Sequence, residues 1–314
     1  MLELANSWQR GFPLMPRPFA EIGRQCGLAE QEVLQRFLEL KARGMIDRIG
    51  PVFPPHTLGA STLAAIAVPP ERLAEVAAFV SDQPGVNHNY EREHAYNLWF
   101  VVHGASNAEV ESTLTAIERA TGLAILRLPL LEEFHVDLGF DLDTHAAPRG
   151  VAGKENVPLS PEERNLAKAL ARGLPLVPAP YEAVARSIGS TEAEVIDRLG
   201  KMLAGGRIRR IGAVIRHRRV GYEANAMMVW NVPEDLVGEV GRRMASDPAV
   251  TLCYRRARSL PEWPYNLYCM VHGRQRGRVL YEAKRICAAY GLSRLPRAVL
   301  FSRRCFTQRA ANYG

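Results

Sequence analysis

The sequence contains one pattern twice, and this duplication constrains the fold more than any other feature. Gly11-Phe-Pro-Leu14 recurs as Gly173-Leu-Pro-Leu176, and Arg48-Ile-Gly-Pro-Val52 recurs as Arg210-Ile-Gly-Ala-Val214, both 162 residues later. Self-similarity at a long period is typical of a chain built from repeated structural units. We therefore expect two copies of one architecture, joined as a pseudo-dimer.

The offset between the copies changes along the chain, as loop insertions would make it change. It is 164 between Tyr90 and Tyr254, and 169 between residues 96–104 and 265–273. The largest step adds five residues to the second copy, around Leu260–Pro264. Near the end, Arg127-Leu-Pro129 matches Arg294-Leu-Pro296 at an offset of 167.

Each copy begins with a helical part. Residues 19–27 and 30–43 predict a short helix, a glycine turn and a longer helix with one apolar face. Residues 45–53 predict a two-strand wing. The second copy repeats this order from 181 to 215, with Ser190 as the expected N-cap of its longer helix. The order is typical of a winged helix-turn-helix.

The second part of each copy alternates strand and helix in the order βαββαβ, which is typical of a ferredoxin-like unit. The predicted elements of copy one are 62–68, 71–80, 86–93, 96–102, 108–120 and 123–128, and those of copy two are 224–230, 234–244, 250–256, 265–271, 277–290 and 292–295. The predicted fold class is α+β, a tandem duplication in which each copy has a winged helix-turn-helix followed by a ferredoxin-like domain. The expected domains are 1–58, 59–146, a linker at 147–160, 161–221 and 222–314.

The net charge of +7 is unevenly distributed between the copies. Residues 1–150 hold 12 basic and 19 acidic side chains, whereas residues 151–314 hold 28 and 14, and 35 of the 40 cations are arginine. Guanidinium binds carboxylate or phosphate in bidentate fashion, whereas lysine acts as a point charge. A G+C-rich genome explains the excess of arginine equally well, and both explanations remain open.

Several protein classes are not expected from the sequence. The first residues lack the pattern of a signal peptide, and no uncharged apolar run approaches the length that spans a bilayer. The five cysteines lie far apart without metal-site spacing, so we expect reduced thiols, no cysteine-bound metal and a cytoplasmic location.

A winged helix-turn-helix followed by βαββαβ resembles the Lrp/AsnC family of transcription regulators, here with two subunits fused. The predicted recognition helices, however, begin with acidic residues, which repel a phosphate backbone. These positions hold Glu30, Gln31 and Glu32 in copy one and Thr191, Glu192, Glu194 and Asp197 in copy two. We therefore expect the helix-turn-helix to be a scaffold and DNA not to be a partner.

Three segments are richer in polar side chains than a scaffold requires: residues 88–103, residues 208–219, and residues 254–258 with 263–272. Their arginines indicate a clamp for a ligand that carries many carboxylates, with aromatic rings to cover its flat face. Trp99, Trp230 and Tyr268 are equally consistent with core packing, and His103 and His272 with structural hydrogen bonds.

These segments resemble the siroheme decarboxylases of the fused type found in denitrifying bacteria. The resemblance rests on HNYEREHAYNLWFVVHG and LPLLEEFHVDLGFDL in copy one, and on IRRIGAVIRHRRVGYEANAMMVWNVP, YRRARSLPEWPYNLYCMVHG and VLFSRRCF in copy two. It implies removal of carboxyl groups from two acetate side chains of siroheme, giving 12,18-didecarboxysiroheme on a route to heme d1 or in an alternative heme pathway.

The resemblance also implies that siroheme and didecarboxysiroheme are the partners, with the iron belonging to the substrate and no separate cofactor. It leaves open whether related decarboxylase subunits take part. The alternative function is an Lrp/AsnC-type transcription regulator or a heme-responsive sensor.

Candidate site residues follow from the resemblance and the polar segments together. A histidine or a tyrosine would donate the proton that decarboxylation requires, and a histidine could instead contact the iron. The candidates for these roles are His94, His217, Tyr90 and Tyr96. The expected carboxylate anchors are Arg48, Arg210, Arg216, Arg255, Arg256 and Arg258, and the further substrate contacts are Asn97, Trp99, Tyr265 and Asn266.

The two copies differ at matched positions, so two equal pockets are not expected. His88 matches Leu252, Asn89 matches Cys253, Glu91 matches Arg255 and His56 matches Arg218. We predict one productive pocket, lined by both copies, and one degenerate pocket.

Overall fold

A computed structural model describes residues 2–55, 57–136, 139, 142 and 158–309. The chain divides into two compact units, and each unit takes segments from both sequence copies. The described part of unit one runs to Leu58 and resumes from Pro158 to Val220, whereas that of unit two comprises residues from Gly59 to Val136 and from Gly221 to Arg309. Of the predicted linker 147–160, residues 147–157 lie outside the described part of the chain.

Unit one holds the two helix-turn-helix segments. Numbered along the chain, copy one gives α1 (Leu2–Ser7), α2 (Pro18–Cys26), α3 (Glu30–Ala42) and β1 (Ile46–Val52). Copy two gives α6 (Pro161–Ala169), α7 (Pro180–Ile188), α8 (Glu192–Ala204) and β6 (Arg210–Ile215). The turn after α2 is closed by Gly27 at φ 68°, a left-handed conformation that glycine adopts without a steric cost. Buried Phe19 and Phe37 pack α2 against α3, with ring centroids 6.0 Å apart.

The N-cap of α8 lies one residue beyond the predicted position. Thr191, not Ser190, accepts the hydrogen bond from the Glu194 amide, and the Glu194 carboxylate accepts in return from the Thr191 amide. This reciprocal pair is a capping box. The Ser190 hydroxyl instead donates to the Glu194 carboxylate at 2.6 Å, so both hydroxyls bond to Glu194 at this helix end.

The predicted two-strand wing within each copy is wrong. Each copy supplies one strand, and β1 pairs antiparallel with β6 so that Gly50 lies opposite Gly212. These glycines are 162 residues apart and are therefore equivalent residues of the two copies. The twofold relation between β1 and β6 is centred on this glycine pair. A Cβ atom on Gly212 would lie 2.2 Å from the Gln9 carbonyl oxygen, so the ribbon tolerates only glycine there. Strand propensity is local, but the partner strand comes from the other copy.

Unit two contains both βαββαβ units, as predicted. Copy one gives β2 (Ala60–Ile66), α4 (Leu73–Asp82), β3 (Val86–Arg92), β4 (Leu98–Gly104), α5 (Asn107–Thr121) and β5 (Ile125–Val136). Copy two gives β7 (Ala224–Trp230), α9 (Val237–Met244), β8 (Leu252–Arg256), β9 (Leu267–Gly273), α10 (Arg276–Ala289) and β10 (Arg297–Gln308). Short 3₁₀ turns occupy Pro70–Arg72 and, in unit one, His217–Val220.

The eight strands of unit two close into a barrel in the order β10-β3-β4-β2-β5-β8-β9-β7. The copies join where β5 pairs with β8 and where β10 pairs with β3. Successive side chains of a strand face opposite sides. On β2, Ala64 and Ile66 therefore pack under α4 and α5, whereas Leu63 and Ala65 pack inside the barrel around Trp99, Trp263 and Tyr268.

The last strand corrects the alignment of the copies. Copy two ends in β10 at Arg297–Gln308, not in the strand predicted at 292–295. Leu128 pairs with Leu63 and Leu300 pairs with Met227, so equivalent residues of β5 and β10 are 172 apart. The match of Arg294-Leu-Pro296 to Arg127-Leu-Pro129 at 167 is therefore wrong, because three residues are too few to fix a register.

None of the helices in the described residues is both long and apolar enough to cross a membrane.

Candidate functional site

An aromatic cluster lies where the β3–β4 turn of copy one meets the β8–β9 loop of copy two. It comprises His94, Tyr96, Trp263 and Tyr265. The indole of Trp263 receives the other rings edge-on, with centroids 5.3 Å away for His94, 6.0 Å for Tyr96 and 4.9 Å for Tyr265. Trp263 is fully buried and the other three side chains are half-buried, so the cluster has an aromatic floor and accessible polar walls.

The hydrogen bonding of His94 settles its tautomer. The Tyr96 amide donates to His94 Nδ1 at 3.0 Å, so the neutral ring carries its proton on Nε2. Burial lowers the pKa of His94 below its ordinary value of 6.5. Among the described residues none bonds to Nε2. The ring is therefore held at one nitrogen and available at the other.

Tyr96 and Trp99 are connected through the backbone of the same turn. The Trp99 Nε1–H donates to the Tyr96 carbonyl at 2.7 Å, and Trp99 is 1% exposed. Burial and the nearby Glu262 carboxylate raise the pKa of the Tyr96 phenol. Tyr96 is therefore protonated at neutral pH. Trp99, predicted as a substrate contact, lies in the barrel core and supports the turn.

The carboxamides of Asn97 and Asn266 make equivalent bonds in the two copies. Asn97 donates to the Val68 carbonyl at 2.8 Å and accepts from the Val68 amide at 2.9 Å. Asn266 does the same with Val232, at 3.0 and 2.9 Å. Both are predicted as substrate contacts. In this structure Asn97 instead joins the start of β4 to the segment after β2, and Asn266 joins the start of β9 to the segment after β7.

Two of the predicted anchors, Arg255 and Arg258, share the carboxylate of Glu234. Arg258 donates to it at 2.5 Å and also to Asn231 and to the carbonyls of Val232 and Pro264. Arg255 donates to Glu234 and lies 3.8 Å from Glu132. These bonds lower the pKa of Glu234, Arg258 contributing most. Both guanidinium groups are thus already paired with a carboxylate of the protein.

Arg256 differs from these neighbours because none of the described carboxylates pairs with it. Its guanidinium lies 5.1 Å from the Tyr254 ring centroid and 6.0 Å from that of Tyr268, and it donates to the Leu128 carbonyl at 2.9 Å. Burial lowers its pKa, but a guanidinium remains charged at neutral pH. Arg256 is thus a cation in an aromatic setting with capacity for an anion.

Arg92 is the equivalent of Arg256 in copy one, and sequence reasoning missed it. It donates to the Leu300 carbonyl at 3.2 Å, as Arg256 does to Leu128, and it lies 5.8 Å from the Tyr90 ring centroid. The offset of 164 that matches Tyr90 with Tyr254 also matches these arginines. Tyr90, a predicted catalytic residue, lies with its hydroxyl 3.4 Å from His88 Nδ1.

Four predicted site residues lie in unit one, around the β1–β6 ribbon. Asp47 accepts from Arg48 at 2.8 Å and from Arg216 at 2.7 Å. Burial raises the pKa of Asp47, but these bonds outweigh it and the net shift is downward. Arg210 is 4% exposed, donates to the carbonyls of Gln9 and Ala213, and has a pKa lowered to about 10 by burial and by Arg48. His217 is buried.

The two barrel seams, which are the strand pairs β3–β10 and β5–β8 that join the copies, carry opposite charges at equivalent positions. Glu91 lies opposite Arg304 across β3–β10, whereas Arg255 lies opposite Glu132 across β8–β5. The carboxylate-to-guanidinium distances are 3.9 and 3.8 Å. The sequence predicts that the copies differ in charge at Glu91 and Arg255. On each strand pair, the residue opposite carries the compensating charge. The predicted difference at His56 lies outside the described residues.

Family models match both parts of each copy. The AsnC-like ligand binding domain matches residues 57–135 and 219–307. The siroheme decarboxylase NirDL-like HTH domain matches residues 3–46 and 163–209. The siroheme decarboxylase NirDL subunit of Paracoccus denitrificans is 42% identical over 315 residues, covering 99% of this chain and 96% of that protein. The chain belongs to the siroheme decarboxylase family. The members of this family are carboxy-lyases.

Two further siroheme decarboxylases relate the halves and the whole of the chain to known proteins. The NirD subunit of Stutzerimonas stutzeri is 48% identical over 139 residues, which is 44% of this chain and 91% of that subunit. A crystal structure of the siroheme decarboxylase NirDL in complex with an iron-uroporphyrin III analogue matches with a TM-score of 0.68 and 30% identity, covering 99% of this chain and 92% of that one. Fused and separate forms of this enzyme thus share the family.

Proposed function

We propose that this chain decarboxylates siroheme at two acetate side chains and releases 12,18-didecarboxysiroheme. Each event converts a pyrrole-bound CH₂–COO⁻ group to CH₃. The C–C bond breaks, CO₂ leaves, and the electron pair left on the methylene carbon takes up one proton. No oxidant or reductant is consumed, so the protein has to supply carboxylate binding, exclusion of water and one proton for each event.

His94 is the proposed proton donor, and its fixed ring carries the proposal. In the ligand-free chain the lowered pKa keeps the imidazole neutral at pH 7. A substrate carboxylate beside Nε2 would raise this pKa, because an opposite charge favours the protonated form. The added proton enters at Nδ1 and displaces the hydrogen bond from the Tyr96 amide. The imidazolium then passes its Nε2 proton to the methylene carbon and returns to the neutral ring.

The same geometry disfavours His94 as a ligand to the substrate iron. The amide of Tyr96 occupies the lone pair of Nδ1, and the neutral ring holds its proton on Nε2, so neither nitrogen offers a free lone pair. We assign proton donation to His94.

Arg256 is the proposed principal carboxylate anchor of unit two, because it is the predicted anchor there without a carboxylate partner among the described residues. Tyr265, Tyr96 and Tyr90 would contact the macrocycle or its carboxylates through ring and hydroxyl. Arg255 and Arg258 would act indirectly, through their shared partner Glu234. The turns beside the site would be held in place by the side chains of Asn97, Asn266 and Trp99. Arg48, Arg210 and Arg216 are proposed as anchors in unit one.

The test is His94→Gln, with His103→Gln as the control. General acid catalysis typically contributes about 10²–10⁴-fold, so we expect at least about a 100-fold loss of decarboxylation rate in single-turnover assays, with siroheme binding retained. The His103 variant should keep wild-type turnover. Turnover of His94→Gln within about threefold of wild type would refute the assignment.

A pH profile adds an independent check on the same residue. A donor that must be protonated loses activity as pH rises through its pKa. The alkaline limb of kcat/KM should lie below pH 6.5, where free His94 titrates, and the limb of kcat should lie at higher pH, where the complex titrates. Coincident limbs would contradict substrate-driven protonation.

A further inference from the structure

The five-residue insertion that separates the copies carries an aromatic residue with no equivalent in copy one. Copy one passes from Glu93 to Tyr96 in a tight turn, closed by the Arg92 amide donating to the Asn97 carbonyl at 2.8 Å. Copy two instead makes the longer excursion that includes Leu260–Pro264. An isolated bridge between Ser259 and Trp263 closes that excursion, and it places the indole of Trp263 on the ring of His94.

Trp263 is held in place by contacts from both copies. Its Nε1–H donates to the Tyr268 hydroxyl at 2.6 Å, and Tyr268 is 1% exposed. Its ring lies 5.1 Å from the Trp99 centroid. A fully buried indole with its polar atom satisfied is a rigid support, because aromatic side chains have few rotatable bonds and Trp263 has no free donor.

The imidazole that packs on Trp263 comes from copy one, without a counterpart at the matching position of copy two. By count, the residue of copy two that matches His94 at the offset of 164 is Arg258, whose guanidinium bonds to Asn231 and Glu234. Trp263 touches the rings of Tyr96 and Tyr265 alike, but it touches an imidazole only in copy one. The insertion therefore distinguishes two turns that the duplication would otherwise leave equivalent.

We propose that Trp263 is a positioning residue for His94, and that the insertion carrying it confines decarboxylation to the copy-one turn. This rests on the proposed function. Two contacts fix the imidazole: the Tyr96 amide holds Nδ1, and the Trp263 indole packs against the ring at 80° to its plane. The remaining nitrogen, Nε2, is thereby aimed in one direction.

Burial is the cause of the lowered pKa of His94, because the neighbouring groups are neutral or paired with other residues. Tyr96 packs against the ring at 6.3 Å between centroids, and its phenol is neutral at pH 7. The charged neighbours along the chain are Glu93, which pairs with Arg276 at 2.7 Å, and Arg92, which is held at the Leu300 carbonyl. From the insertion, Glu262 raises the pKa of Tyr96. Removing the indole should therefore raise the pKa of His94 toward its ordinary value.

The experiment compares Trp263→Phe and Tyr268→Phe with the control Trp230→Phe. Trp230 is equally buried but belongs to the core between the strands and α9 and α10, away from His94. The readouts are the His94 pKa, from NMR titration of the ring in ligand-free protein, and kcat against KM for siroheme.

We expect Trp263→Phe to raise the His94 pKa and to lower kcat about 10- to 100-fold with little change in KM, since misplacement of a catalytic group by about 1 Å can cost this much. Tyr268→Phe, which removes only the hydroxyl that orients the indole, should shift both quantities in the same direction by less. Trp230→Phe should leave the pKa unchanged.

An unchanged His94 titration in both Trp263→Phe and Tyr268→Phe would overturn the proposal, whatever the activity. A shifted titration with unchanged kcat would also overturn it as a statement about catalysis. Failure of the proposed function would be seen separately, as wild-type turnover in His94→Gln while the titration of Trp263→Phe still moves.

Discussion

At the scale of single residues, the partners of each arginine matter more than the number of arginines. The sequence predicts six anchors from residue type and spacing. In the structure, Arg255 and Arg258 share Glu234, and Arg48 and Arg216 share Asp47, so four of the six are already paired with carboxylates of the protein. Arg256 lies on two tyrosine rings with no carboxylate partner among the described residues. Asp47 directly precedes Arg48, but its pairing with Arg216 and the pairing of Glu234 with the other two arginines join segments far apart in the chain, so sequence spacing does not reveal them.

A buried carboxylate away from the site offers a prediction at the same scale. Asp247 is 4% exposed and accepts from Arg285 at 2.5 and 2.8 Å and from the Tyr290 hydroxyl at 3.0 Å. Asp247→Asn should destabilise the fold by about 1.5–3 kcal/mol, because the buried charge-assisted bonds to Asp247 are lost and Arg285 keeps only Glu282 as an ion-pair partner. Urea unfolding monitored by circular dichroism measures this difference.

The pH dependence of that difference has a definite sign. Burial raises the pKa of Asp247, but the bonds from Arg285, the Ala249 amide and Tyr290 outweigh it, so the folded pKa lies below 3.8. A carboxyl group with a lowered pKa stabilises the fold above its unfolded pKa and loses this contribution as pH falls through the folded value. The gap between wild type and Asp247→Asn should be constant near neutrality and shrink below about pH 4. A gap that widens on acidification would contradict the assignment.

At the scale of elements, sequence patterns predict the helices, turns and strands that form between residues close together in the chain. The helix-turn-helix pairs and both βαββαβ orders are confirmed, because apolar spacing and glycine turns act within a few residues. The pairing of β1 with β6, the register of β10 and the role of Trp263 could not be predicted, because each depends on a partner from the other copy. The insertion at Leu260–Pro264 was visible as a change in offset, but its contact with His94 was not.

The β1–β6 ribbon gives a prediction at this scale. Gly212→Ala should destabilise the protein by about 1–3 kcal/mol, since its Cβ would lie 2.2 Å from the Gln9 carbonyl oxygen. Gly200→Ala is the matched control, because nothing lies within 4 Å of a Cβ there and the residue is inside α8. That change should stabilise by up to about 1 kcal/mol. Thermal unfolding of the two variants should therefore shift in opposite directions, and a shift in the same direction would contradict the close approach.

At the scale of the whole molecule, duplication followed by divergence predicts one productive site rather than two. The seams exchange Glu91 and Arg304 for Arg255 and Glu132, and only copy one presents a histidine to Trp263. Titration of the chain with siroheme under anaerobic conditions, followed by absorbance, should saturate at one tetrapyrrole per chain. Two sites of equal affinity and equal turnover would contradict this prediction.

The central claim concerns the same whole molecule and its chemistry. Anaerobic incubation of the purified chain with siroheme, followed by mass spectrometry of the tetrapyrrole, tests it most directly. We predict two successive mass losses, each equal to one CO₂, ending at 12,18-didecarboxysiroheme. Siroheme that is bound tightly but recovered unchanged would contradict the claim and would favour a heme-responsive sensor instead.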